Sequence, residues 1–341
     1  MANKNTFPKT LQEAVIYFNE YENCHRLLSD IRWPDGKVKC PTCGSDHVTY
    51  LAKARVWKCY AKHSLAKFSL KTGTIFEDSP ISLDKWLVAF WLVVNCKNGV
   101  SSCEVARHLG VTQKTAWFMD HRIRLAITQG GFETPKMGGE GGTVEVDETY
   151  IGGLARNMHK DRRDRTIKGT GGAGKVAVFG LLDRHGKDGR SRVRAQVIPD
   201  SFKSTIQPII KEHVEPKSNV YTDEHAAYKG LSNEEFFHAF VTHAEYYVDG
   251  AVHTNGIENF WALLKRGIKG TYVSVEPFHM FRYLDEQAFR FNERFGDEAD
   301  RFLSALTGVV GKRLTYQKLI GSPEGNSRSA AERKAEELGF S

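Results

Sequence analysis

The 341-residue sequence has no apolar run long enough to cross a bilayer. Its longest, WLVAFWLVV, falls far short of the about 20 residues a spanning helix needs. Its first residues, MANKNTFPKTLQEAVIYFNE, lack an apolar signal core, so secretion is not expected. Cysteine is sparse: of six residues, three gather between positions 40 and 59. That usage argues against a disulfide framework and for a metal site in a reducing compartment. An acidic excess is also missing; the formal charge of +7 favours a polyanionic partner. What is present suits folding. Hydrophobic residues at 40% and aromatics at 11% exclude a disordered chain, and the length suits two or three domains. The expectation is a cytoplasmic protein with no membrane partner.

Residues 40 to 63 read CPTCGSDHVTYLAKARVWKCYAKH. Cys40 and Cys43 form a C-x2-C knuckle with Pro and Gly at turn positions, and Cys59 and His63 follow. The intervening stretch alternates and is rich in β-branched and aromatic residues, as a short hairpin requires. Two knuckles on hairpin turns build a zinc ribbon, in which four ligands close a tetrahedral structural Zn2+ site. His63 departs from a plain second C-x2-C, which leaves Cys24, His25 and His47 as substitutes for the fourth ligand. Further on, Ile81 to Val94 has the length and apolar content of a packed helix. Ser101-Ser102 then open a second helix, Gly110 makes a sharp turn, and Thr112 caps a third. Helix, glycine turn, helix is the helix-turn-helix pattern, whose second helix enters the DNA major groove. Gln113, Lys114 and Thr115 would face DNA there, with Arg122 and Arg124 as phosphate contacts or solvated cations; a plain helical hairpin is the alternative.

Past the Gly-rich stretch 130–142, which reads as a flexible linker, the period changes to two. TVEVDETYIGG is a strand with Asp147 near its end, and KVAVFGLLDRHG and SRVRAQVIP continue a meander. SFKSTIQPIIKEHV is an amphipathic helix, VYTD a fourth strand stopping at Asp223, and EYYV a short fifth strand. The segment HTNGIENFWALLKRGIKGTY closes the set as a helix. This is the element order of a ribonuclease-H-like domain, whose first and fourth strands can lie side by side and bring Asp147 and Asp223 together. Two strand-end carboxylates and a third from a nearby helix make an oxygen-rich Mg2+ site suited to phosphodiester chemistry. Glu145 shares the face of Asp147 and competes with it, and Asp223 would also serve as a turn former. In the last helix, Ile257, Trp261 and Leu264 form an apolar stripe, with Glu258 and Lys265 two turns apart beside it. Asn255 and Glu258 would equally suit a capping box.

Taken in order, CPTCGS, KFSLKTGTIFEDSPI, GVTQKTAWFMDHRIR, VEVDETYIGG, VYTDEHAAY and HTNGIENFWALLKRGIKGTY resemble the DDE transposases of bacterial insertion sequences with an N-terminal zinc ribbon, the ISXO2-like group. The resemblance covers roughly residues 20 to 320. It implies that Asp147, Asp223 and Glu258 are a metal-binding acidic triad taking Mg2+, with Mn2+ as substitute. Asn255 is an alternative third ligand, because some relatives carry asparagine there. Lys265 stands where the group places a basic residue that contacts DNA near the scissile phosphate. The activity implied is binding of terminal inverted repeats, metal-dependent strand cleavage and joining of the 3′-hydroxyl to target DNA. Pairing two ends implies at least a dimer, nucleoid-associated when bound to DNA.

Residues 154–175, with seven Lys/Arg against two Asp, lie between the first two strands and read as a DNA-clamping arm that includes Arg162 and Arg163, or as a solvated loop. The expected architecture is multidomain, α+β and α/β. An N-terminal zinc-ribbon segment (1–76) is followed by a helix-turn-helix region (77–129), the linker (130–142), a ribonuclease-H-like catalytic domain (143–296) and a C-terminal tail (297–341). Two rival functions use the same residues: a non-catalytic, sequence-specific DNA-binding protein, and a ribonuclease-H-like nuclease acting on RNA or branched DNA.

Overall fold

A computed structural model describes residues 7–128, 135–152, 161, 175–186, 188–231, 235–241 and 252–321. The chain divides into two compact units. One comprises Met1–Cys96, Val100–Ile127 and Gly296–Ser341; the other comprises Lys97–Gly99 and Thr128–Phe295. No helix among the described residues is long and apolar enough to cross a membrane.

The first unit opens with helices α1 (Leu11–Asn19) and α2 (Tyr21–Arg32). An antiparallel sheet of β1 (Val48–Leu51), β2 (Val56–Cys59) and β3 (Lys67–Phe68) comes next. Trp57 on β2 is its hydrophobic centre, ringed by Trp33, Tyr50, Phe68 and His25. Helix α3 (Leu83–Asn95) contains the apolar run and is buried on nearly every face, which places it inside the unit. Helix α4 (Ser102–Leu109) starts with a capping box between Ser101 and Glu104 and ends at Gly110, whose φ of +61° is left-handed. Helix α5 (Gln113–Ile127) begins three residues later, where Thr112 Oγ1 accepts the Thr115 N–H at 3.1 Å.

Two expectations for this unit change. Arg122 and Arg124 are buried, 5% and 2% exposed, and so are neither solvated nor available to phosphates. Arg122 donates to the carbonyls of Ile75, Glu77 and Leu314, tying α5 to loops far away in sequence. The stretch beyond residue 297 is more than a tail. Phe302, on the helix Glu298–Leu306, is fully buried and meets the rings of Phe7, Phe18, Phe90 and Trp91 at 5.1–6.1 Å.

The second unit is built on a five-stranded sheet. Short β4 (Met137–Gly138) precedes β5 (Thr143–Ile151), β6 (Val176–Arg184) and β7 (Arg192–Ile198); after α6 (Lys203–His213) come β8 (Val214–Glu215), β9 (Asn219–Asp223) and β10 (Phe237–Val241). The sheet order is β10-β9-β5-β6-β7, with β5, β6 and β7 antiparallel and β5, β9 and β10 parallel. Strand alternation fills both faces. Val144, Val146, Phe179 and Leu181 pack on one side with Ile206 and Ile210 of α6. Val178, Leu182 and Val193 pack on the other with α7 (Asn255–Gly267) and α8 (Met280–Asn292). A sheet between two helical layers results.

Here too the structure refines the expectations. The fifth strand is β10, upstream of EYYV, and EYYV lies outside the described residues. Asp147 sits mid-strand, because β5 runs on to Ile151. The end of the Gly-rich stretch is no free tether: β4 pairs in parallel with β8, and Met137 is buried in the α6-side core. The basic segment 154–175 lies outside the described residues apart from Asp161 and Lys175.

Truncating a fully buried aromatic costs about 3–5 kcal/mol. Phe302→Ala is therefore expected to destabilise the first unit by that amount in urea unfolding monitored by tryptophan fluorescence. Truncating Phe295, 57% exposed, should cost far less.

Candidate active site and metal centre

The register of β5 with β9 pairs Val144 with Val220 and Glu145 with Tyr221, so Asp147 and Asp223 stand at corresponding positions two residues further along. Asp147 feels that neighbour. Burial, the Asp223 carboxylate and then Glu148 together push the Asp147 carboxyl up to about 8, against the pull of hydrogen bonds from Trp261 and the Glu148 backbone. Trp261 Nε1 donates to Asp147 Oδ2 at 2.9 Å. That contact needs Gly180, which faces Asp147 across the β5–β6 register, since a Cβ there would come within 2.6 Å of the Trp261 ring. Trp261 thus serves the apolar stripe and one carboxylate at once.

Glu148 is the residue that sequence reading passed over. Its side chain is 8% exposed, accepts the Tyr228 hydroxyl and lies 3.1 Å from His225 Nδ1. Burial pushes its carboxyl upward, and the Asp223 charge adds to the shift. The adjacency of Asp147 and Glu148 in VEVDET was the available signal; that both side chains approach Asp223 required the sheet register.

Glu145 does not compete with Asp147 for the pair. It is 1% exposed, accepts Arg184 Nε at 2.5 Å and takes the Ile257 N–H at 2.8 Å. It therefore binds the positive end of α7 to the sheet. Gly256 is required beneath it, because a Cβ there would lie 2.8 Å from the carboxylate. The expected capping box is absent. Asn255 is the first helical residue rather than the N-cap, which moves Glu258 one place past the position a box needs. Glu258 instead accepts the Thr254 hydroxyl at 2.7 Å. Among the described residues, no group of three acids or histidines gathers its ligand atoms within 4.8 Å around Asp147 and Asp223. Asp147 and Asp223 are thus placed side by side, and Glu258 stands on α7. Asn255 is exposed at its first turn, and Lys265 is half-buried two turns beyond Glu258.

In the first unit, Cys40, Cys43, Cys59 and His63 hold their ligand atoms within 4.8 Å of one another. Cys43 Sγ and Cys59 Sγ are 3.7 Å apart, and Cys40 Sγ and His63 Nε2 are 3.5 Å apart. A tetrahedral zinc ion, with Zn–S about 2.3 Å and Zn–N about 2.0 Å, demands edges of about 3.8 and about 3.5 Å. The donor set fits zinc. The substitutes are engaged elsewhere: Cys24 Sγ donates to Phe18 O, His25 stacks on Trp57, and His47 packs on Tyr60. The first knuckle is shaped by Gly44, with φ +73° and its N–H bonded to Cys40 O.

At the start of α5, Gln113 Nε2 reaches Ser102 Oγ at 2.9 Å, and Lys114 Nζ lies 4.5 Å from the Tyr316 ring centroid. Both side chains are exposed. Arg162 and Arg163 lie outside the described residues.

Residues 140–292 match the family described as the ISXO2-like transposase domain, and residues 20–61 match a transposase zinc-ribbon domain. An uncharacterized transposase-like protein of Haemophilus influenzae is 35% identical over 103 residues, covering 30% of this chain and 83% of that protein. The chain belongs to the ISXO2-like transposase family. An uncharacterized protein in transposable element ISH50 of Halobacterium salinarum is 29% identical over 249 residues, covering 70% of this chain and 80% of its own length. The transposase-domain match spans Asp147, Asp223 and Glu258; the ribbon match includes the three cysteines and ends two residues before His63.

Two outcomes are expected of this transposase. His63→Ala should lower its zinc content well below one equivalent by metal analysis, while His47→Ala keeps a full equivalent. Gly180→Ala should cost about 1–3 kcal/mol through overpacking against Trp261. The same change should move the Trp261 fluorescence, because the indole leaves Asp147.

Proposed function

We propose that this protein binds the terminal inverted repeats of its insertion sequence, cleaves a DNA strand at the element end and joins the freed 3′-hydroxyl to target DNA. The observation that carries the reading is the half-buried carboxylate pair on adjacent parallel strands, with Asp147 pushed up to about 8 beside Asp223. Two acids so placed are a costly arrangement without a cation, and a hard divalent ion is the natural partner for carboxylate oxygens. Asp147 and Asp223 would hold Mg2+, or Mn2+ in its place, with Glu258 as the third acid. When bound, such ions activate the attacking oxygen and stabilise the leaving oxygen of an in-line phosphoryl transfer.

The chain's own residues prepare that chemistry. Trp261 fixes the orientation of Asp147, and Glu145 sets the position of the helix that presents Glu258 and Lys265. Lys265 neutralises phosphate charge on the DNA strand, and Glu148, its side chain 8% exposed, adds a further carboxyl close to Asp147. The domain is read as ribonuclease-H-like on its strand order, antiparallel meander first and parallel fourth and fifth strands after. Helices α4 and α5 act as a helix-turn-helix with Gln113 and Lys114 toward the major groove. The zinc ribbon supports end recognition, Arg162 and Arg163 belong to a DNA-clamping arm, and two copies pair the element ends.

Strand cleavage and joining on duplexes carrying the element ends tests this reading. Wild type should act with Mg2+ and stop with EDTA. Asp147→Asn and Asp223→Asn should lose cleavage by at least about 1,000-fold, of the order that loss of a principal transition-state contact costs, while end binding changes little. Joining retained in Glu258→Gln would remove that residue from the ligand set. Cleavage of RNA–DNA hybrids alone would overturn the transposition reading.

A further inference from the structure

Helix α7 does not end in an ordinary cap. It runs into a π-helical turn, Ile268–Tyr272, and then into Val273 at φ +63°, ψ −53°. The Ser274 N–H bonds back to the Tyr272 carbonyl at 2.7 Å, closing a three-residue γ-turn of the rare, strained kind. A β-branched residue is the least suited to that conformation. Val273 is also 77% exposed, so no core contact compensates for the strain.

The turn is held from both sides. The Tyr272 hydroxyl donates to Glu286, a carboxylate 1% exposed and paired with buried Arg290. The Tyr272 ring packs edge-on against Tyr283 at 4.7 Å, and the chain at Gly99 passes so close that any Cβ would meet the Tyr272 hydroxyl. Thr271 Oγ1 donates to the Asn98 carbonyl at 3.0 Å, and Val275 packs onto the α7 core. Strain of this kind persists only where the surroundings over-determine it, and it concentrates at functional positions. The fold uses a buried ion pair and two aromatic rings to hold an isopropyl group out in water.

The charge around it indicates the partner. From Lys265 to Arg282 the chain carries four Lys/Arg and one acid, Glu276. Lys269, one turn before Val273, is exposed, as is Arg266. An apolar tip flanked by cations matches the side chains that wedge between base steps while their neighbours hold the phosphates.

We infer that Val273 is a wedge that enters duplex DNA at the element end and unstacks a base step. The inference rests on the DNA-cleaving reading above and deepens it. The helical rise puts Val273 about 20 Å along the α7 axis from Glu258. The opened step is therefore within about six base steps of the scissile phosphate, at 3.4 Å per step.

The test uses the full-length protein and end duplexes in which 2-aminopurine replaces one base at a time across that span. Wild type should raise the fluorescence at least twofold at one step and leave the others flat. Val273→Ala and Val273→Gly should abolish the rise. Val273→Gly should show no fall in melting temperature, since glycine adopts the turn without a Cβ clash. A mismatch built into the affected step should restore cleavage by Val273→Ala, because the step is then already loosened; a purely structural valine would give no such rescue. An unchanged rise in both variants overturns the wedge, as does flat fluorescence from a wild type that binds and cleaves. Flat fluorescence with cleavage intact leaves the transposase reading standing, whereas failure to bind any end duplex overturns both. If the variants change the protein's mass in solution and not the DNA signal, Val273 is a contact between copies and the wedge is wrong.

Discussion

One buried carboxylate sets the geometry of the second unit. Glu145 lies inside the sheet–helix interface and would be an intolerable isolated charge there. It is satisfied by Arg184 from the neighbouring strand and by the Ile257 amide at the first turn of α7. Because the amide belongs to the helix start, the pairing fixes both where α7 begins and which way it points. A charge left buried by loss of one partner costs several kcal/mol, so the helix has little freedom to slide. Everything α7 presents further along depends on this anchor.

The acid pair depends on the same anchor through Trp261. Asp147 and Asp223 are placed by backbone register, which fixes their separation but not the orientation of either side chain. The indole N–H orients Asp147, and Gly180 gives the ring room to arrive. Both carboxyls of the DE pair on β5 are pushed upward by burial, which marks the region as short of positive charge. That deficit is local. It stands in a chain of net charge +7, so the basic excess lies elsewhere.

What the sequence revealed was whatever depends on local chemistry. The all-round apolar character of α3, the glycine turn at Gly110, the knuckle at Cys40 and Cys43 and the strand alternation around Asp147 and Asp223 each arise from near neighbours. The ribbon's three cysteines were legible as well, because knuckle spacing carries them, whereas the choice of His63 over Cys24, His25 and His47 needed the folded positions. Contacts between distant segments were hidden. Nothing in the residues around Arg122 says that it will bond carbonyls at Ile75, Glu77 and Leu314. Phe302 reads as part of a C-terminal tail and proves central to a cluster begun at Phe7. Asn255 and Glu258 have capping-box spacing, yet the helix starts one residue earlier than a box allows, because Thr254 and the Glu145 contact set its first turn. Glu145 itself looked like a rival catalytic acid; only its partners show it to be structural.

Helix α7 then has to serve several masters within thirteen residues. The 3.6-residue period keeps Ile257, Phe260, Trp261 and Leu264 inward and leaves Glu258 and Lys265 on another flank. A regular helix would simply repeat those faces. The π-helical turn at Ile268–Tyr272 breaks the repeat, because each wider turn takes up an extra residue and rotates the next residues about the axis. Tyr272 is thereby carried inward to Glu286 while Val273 is carried out to solvent. The irregularity at the end of the helix is thus the counterpart of the anchor at its start: one fixes the axis, and the other changes the face presented once the acid and the lysine have been placed.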